Sequence, residues 1–269
     1  MANIPTQLSG KPSNTGYNSA TLALQAIKTN SQTGACEAAI VNDVDIEFAA
    51  ECTNPGACAG QKVVINGTSI DTHDDSASPP SYTNVSMDFG SSADNTADFV
   101  FNYPDAGRVQ LHARYNIPVD GLPSGVYMEG SSNAFVVRPF GFYLDVKDLP
   151  ALLDGDADDP LFKKAGESFE VTVKAVQWQS GDDTDNDGKP DSNAVLSTNA
   201  TTTNFGNESA IETVVLTPSV SAPLVSSGVV SNNDFIGTSF ESGVMTRTDV
   251  SWSEVGVMDL VAGLQDAQY

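Results

Sequence analysis

The chain has 269 residues, 35 Asp and Glu against 12 Lys and Arg, and a formal net charge of −23. A surface of that sign repels phosphate backbones, which excludes nucleic-acid binding and disfavours anionic membrane surfaces. No apolar run approaches the ~18 residues of a transmembrane helix. The opening Met1-Ala-Asn-Ile-Pro-Thr lacks the basic start and apolar stretch of a signal peptide, so an exported protein would carry its leader upstream.

The length suits two domains of roughly 130 residues each. Abundant Asn, Ser, Thr, Gly and Asp suit short strands joined by many turns. Residues 5–16 are polar and rich in Pro and Gly, a leading segment or an edge strand. Residues 21–27 alternate Leu22, Leu24, Ala26, the period of a half-buried strand, although Ala, Leu and Gln also suit a short helix. Strands are expected at 44–48 and 62–65, with Asn66-Gly67 as a hairpin turn. A loop at 71–81 follows, then strands at 85–89, 97–101, 108–115 and 133–140. The alternation of Phe142, Leu144 and Val146 opens a second unit with no Gly/Ser linker, which predicts a stiff tandem. Strands are expected there at 168–176, 212–216, 244–250 and from 252 to 262. A Ser/Val-rich meander spans 219–231.

The two halves echo one another. Phe101 leads into Gly107 and the inward series Val109, Leu111, Ala113; Trp252 leads into Gly256 and an apolar run ending at Ala262. Glycine to alanine is six positions in both, and Ala26 to Ala113 and Ala175 to Ala262 are both 87 positions. Corresponding landmarks at equal spacing decide for strand at 21–27. With turn signals every ~8–12 residues and no long helical period, the reading is all-β: two tandem immunoglobulin-like β-sandwich units, 1–141 and 142–269. A jelly roll gives similar signals.

Three cysteines lie in the first half. Cys52 and Cys58 flank Pro55-Gly56 and suit a disulfide closing a tight loop, while pairing of Cys36 with either remains open. Disulfide use favours an extracellular or cell-surface location.

The most specific chemical motif is Asp183-Thr-Asp185-Asn-Asp187-Gly188-Lys189-Pro-Asp191. Carboxylates at alternate positions converge on one hard cation, Gly188 permits the sharp turn, the Lys189 carbonyl adds a ligand and Asp191 another. Ala194 stands where an EF-hand has its bidentate Glu, so the expectation is a structural calcium loop, with Asp182 as a spare ligand. Asp154, Asp156 and Asp158 repeat the alternation without the glycine and form a weaker candidate. No catalytic residue is expected. Neither Gly-x-Ser-x-Gly nor His-Glu-x-x-His occurs, and His73 and His112 read as a loop residue and a half-buried strand residue. Trp178, Trp252 and Tyr127 are candidates for stacking on sugar rings.

Several segments are similar to a known family. They are the Cys52 to Cys58 segment, Phe101-Asn-Tyr-Pro-Asp-Ala-Gly107, Leu111-His-Ala113 and Phe135-Val-Val-Arg-Pro-Phe140 in the first half. Ala165-Gly166, the run from Phe169 to Ala175, Asn204-Phe-Gly-Asn-Glu208 and Ser253-Glu-Val-Gly256 continue the series. Together they resemble the domain of unknown function of MshQ-like proteins, which are associated with the mannose-sensitive haemagglutinin type IV pilus of Gram-negative bacteria. The resemblance implies export, pilus or cell-surface components as partners, and adhesion or structural presentation without catalysis. The other class is a carbohydrate-binding module, or a fragment of a carbohydrate-active enzyme, with surface glycans as ligands. A clustered acid pair beneath exposed aromatics would favour it; an acid-poor apolar cleft would favour adhesion.

Overall fold

The structure, a computed structural model, describes residues 3–57, 61–74, 80–90, 96–150, 160–222 and 228–265. Among these the regular structure is strand, apart from single 3-10 turns at Leu196–Thr198 and Gly237–Ser239. The first unit opens with β1 (Gln7–Leu8), β2 (Leu22–Gln25), β3 (Ile27–Thr29), β4 (Cys36–Ala38) and the long β5 (Asp43–Asn54). It continues through β6 (Val64–Ile65), β7 (Thr68–Ser69), β8 (Thr72–Asp74), β9 (Thr83–Asp88), β10 (Thr96–Phe99) and β11 (Phe101–Asn102). The strands β12 (Gly107–Val119), β13 (Leu122–Ser131) and β14 (Phe135–Arg138) complete it. The second unit comprises β15 (Gly141–Val146), β16 (Ser168–Val176), β17 (Thr213–Ala222) and β18 (Val230–Ser231). It ends with β19 (Asp234–Ile236), β20 (Val244–Trp252) and β21 (Val257–Leu264).

In the first unit the main sheet runs β1-β14-β12-β5-β8, with β13 also on β12 and β9 also on β5. Alternation along β5 and β12 turns Phe48, Ala50, Val109 and Leu111 inward. The smaller pairings β2–β10 and β11–β6–β7 supply the facing layer. Rings cross between the layers: Phe48 meets Phe99 at 5.9 Å and Phe101 meets Phe135 edge-on at 5.0 Å. The second unit packs β15-β16-β20-β18 against β19-β17-β21. Phe169, Val173, Phe205, Leu216, Phe235 and Val250 lie in its core. Four antiparallel strands over three is the immunoglobulin-like plan. Trp252 is buried in that core and Trp178 is half-buried, so only Tyr127 of the three aromatic candidates stands exposed.

The internal echo is a topological one. β12 pairs with β5 as β21 pairs with β17, and β2 pairs with β10 as β16 pairs with β20. Gly107 and Gly256 have φ of 137° and 142° at the head of the equivalent strands. Burial then diverges. Val109, Leu111 and Ala113 are buried, whereas their counterparts Met258, Leu260 and Ala262 are only partly covered. The reason is the other strand edge: β13 and β14 cover that of β12, and no strand pairs with that of β21 among the described residues. An apolar groove of about 1060 Å³ lies there between β15 and β21.

Several elements differ from expectation. The strand expected at 44–48 extends to Asn54 and takes Cys52 into the sheet. The region 122–131 is a strand that carries no alternation signal, because it is exposed along nearly all its length. Cys36 is an exposed free thiol, and the buried Cys52 is disulfide-bonded; Cys58 lies outside the described residues.

Candidate functional site

After β16 the chain is fastened to the first unit before the acidic loop begins. The Trp178 N–H donates to the Ser9 carbonyl (2.8 Å) and the Gln177 amide to the Pro104 carbonyl (2.6 Å). Residues 181–191 therefore fold at the junction of the two units. The Gly188 carbonyl accepts from Arg138 Nη2 (2.7 Å), and the Arg138 guanidinium lies 5.2 Å from the Tyr17 ring centre. A Cβ at Gly188 would sit 2.6 Å from that ring, at φ +80°, so the close approach requires glycine.

Within the loop, carboxylate oxygens of Asp183, Asp185 and Asp187 lie within 4.8 Å of one another. Side chains shape the turn from inside: Asp183 Oδ2 accepts from the Gly188 N–H (3.2 Å), Asp185 from Asp187 N–H (3.2 Å) and Asp187 from Lys189 N–H (2.8 Å). Asp183 is 6% exposed, and its Oδ1 has no hydrogen-bond partner. Burial, reinforced by the charges of Asp187 and Asp185, raises its pKa above the usual carboxylate range against the Gly188 hydrogen bond. Asp191 stands apart from this trio. Its Oδ2 accepts from the Thr184 N–H (3.0 Å) and hydroxyl (2.6 Å), which hold its pKa low. Asp182, expected as a spare ligand, accepts from Asn199 (2.8 Å). The weaker candidate Asp154, Asp156 and Asp158 lies outside the described residues.

A protein cation stands beside the trio. Lys11 is fully buried, donates to the Pro12 and Thr15 carbonyls, and feels the Asp183 charge. Burial lowers its pKa to about 8, with Asp183 pulling the other way. Three carboxylates and one ammonium leave a charge of about −2, which one divalent cation neutralises.

The raised Asp183 pKa gives a signed prediction. A group whose folded pKa is raised stabilises the fold below its unfolded pKa and loses that contribution as pH rises through the folded one. In calcium-free buffer, Asp183→Asn, which cannot titrate, is expected to gain Tm relative to the parent over the window that opens at the ordinary carboxylate pKa of about 4. A parent-to-variant difference that is flat across that window counts against the assignment.

The second part of the junction lies beneath. Asp105, fully buried, accepts from the N–H groups of Ala106 and Asn204 (both 2.8 Å) and from the Thr203 hydroxyl (2.6 Å). Asn204 also donates to the Tyr103 hydroxyl (3.0 Å), and Asn54 Oδ1 takes both Ser209 donors. The segments 101–107 and 204–208, separate in sequence, thus meet as one buried polar contact between the units.

An all-β tandem of two immunoglobulin-like sandwiches joined by a packed polar junction defines the class of protein. Residues 1–131 match the family model described as "Domain of unknown function (DUF6701), first Ig-like domain", and residues 138–249 match "DUF6701, second domain". The chain belongs to the DUF6701 family, with both domains in order. No curated protein and no solved structure matches it.

Proposed function

We propose that this chain is a non-enzymatic, calcium-stabilised tandem of an extracellular or cell-surface protein, serving adhesion or structural presentation. The observation that carries the reading is the acidic trio at the junction, with the buried, unpartnered Oδ1 of Asp183 turned to a cluster of like charge. A calcium ion there would tie loop 181–191 down where it contacts Tyr17, Arg138 and Lys11, and so lock one unit against the other. The mechanism is rigidity: a locked pair holds a binding face at a fixed distance and angle. The net charge of −23 and the disulfide-bonded Cys52 support an exported setting. The resemblance to MshQ-like proteins supports a pilus-linked one. Among the described residues no carboxylate lines the groove between β15 and β21, which supports binding over glycoside hydrolysis.

The test is a thermal melt in calcium against chelator, with Asp185→Ala alongside. Calcium at a hundred times its dissociation constant is expected to add about 2.7 kcal/mol to the parent and nothing to the variant. Equal melting of both proteins in both buffers rejects the calcium reading.

A further inference from the structure

The chain has two histidines, 39 positions apart, and the fold brings both to one carboxylate. β5 lies between β8 and β12, so side chains from three adjacent strands share the sheet's outer face. Glu51 is directly opposite His73 in the parallel β5–β8 register. His112 is opposite Ala49, two residues along the same face of β5. The imidazole centres are 5.8 Å apart, and His112 Nε2 is 2.8 Å from Glu51 Oε2. One ligand atom from each of the three residues lies within 4.8 Å of the others, and all three are half-buried.

We infer that Glu51, His73 and His112 form a three-ligand site for a borderline divalent cation of the zinc, cobalt(II) or nickel type. The hydrogen bonds at the back of each ring define the ligand atoms. His112 Nδ1 is 2.8 Å from the Ser131 hydroxyl, and His73 Nδ1 is 3.2 Å from the Asp74 carbonyl. A metal-bound imidazole characteristically gives its remote N–H to such an oxygen, which fixes the tautomer and leaves Nε2 for the ion. Two imidazoles and one carboxylate suit zinc-type ions and not calcium, which takes oxygen ligands. Bonds of ~2.0 Å place ligand atoms roughly 3.3 Å apart, so binding exchanges the 2.8 Å His112–Glu51 contact for two bonds to the ion and spreads that pair slightly. Partial exposure leaves the remaining coordination position to water or to a ligand atom from outside. This site is on the first unit and independent of loop 181–191.

The test titrates cobalt(II), then zinc, into the calcium-saturated full chain, following visible absorption and heat. One equivalent is expected to bind with the intense visible bands of low-coordinate cobalt and to be displaced by zinc. His73→Gln and His112→Gln are each expected to weaken binding by at least tenfold while the far-UV spectrum stays unchanged. Asp185→Ala is expected to bind like the parent, which separates this site from the acidic loop. Absence of saturable binding by the parent overturns the inference. So does undiminished affinity in either histidine variant, or loss of the cobalt bands in Asp185→Ala.

Discussion

Asp105→Ala is expected to destabilise the protein by about 3 kcal/mol and to uncouple the two units. The carboxylate is the common acceptor for donors on both sides of the junction, Ala106 from the first unit and Thr203 and Asn204 from the second. Hydrogen bonds to a charged group contribute roughly 1.5–3 kcal/mol each, and a buried N–H left without a partner costs about 1–3 kcal/mol. Removing the buried charge recovers part of this, because burial is the chief cause that raises the Asp105 pKa while its donors oppose it. Thr203→Val, which deletes a single donor, is expected to cost about 1 kcal/mol. Urea unfolding measures both, and calorimetry should show one transition in the parent and two in Asp105→Ala. A loss below about 1 kcal/mol for Asp105→Ala, with a single transition retained, would remove Asp105 from the role of coupling group.

A loss of similar size is expected for Gly107→Ala, at the head of β12. The backbone φ there is +137°, and an added Cβ would meet the Asn54 carbonyl oxygen at 2.8 Å. That obstacle is main chain in the neighbouring β5, so no side-chain rotation relieves it. The pairing of these strands also shifts register between Arg108 and Val109, so the glycine serves a local irregularity that positions Asp105 two residues before it. Strain of this kind costs ~1–3 kcal/mol, and displacement of the strand adds to it, for roughly 3 kcal/mol in all. The control is Gly121→Ala in the β12–β13 turn, where φ is +77° and nothing lies within 4 Å of the added carbon. Only the intrinsic penalty of ~1–2 kcal/mol is expected there. If chemical denaturation ranks the two variants equally, crowding at Gly107 is not what selects glycine.

Local pattern alone determined a good deal about this protein. Period-two alternation marked β12, β16 and most other long strands, because each has one face in a core and one in solvent. Asn66-Gly67 marked its turn because both residues take positive φ there, 49° and 81°. The alternating aspartates marked their loop because each short carboxylate accepts from a backbone N–H a few residues further round the turn. Where no face is buried, as along β13, there is no alternation to read, and Pro123 and Gly125 obscure the strand further. Tertiary structure alone decided what meets what. Alternation says which face a side chain takes and nothing about its neighbours across strands. His73 and His112 therefore read as unrelated residues until β5 stands between their strands. The acidic loop likewise read as a feature of the second unit, and only packing made it part of a junction, against Lys11, Tyr17 and Arg138. These contacts span 50 residues or more of chain, and no local propensity encodes a partner at that distance.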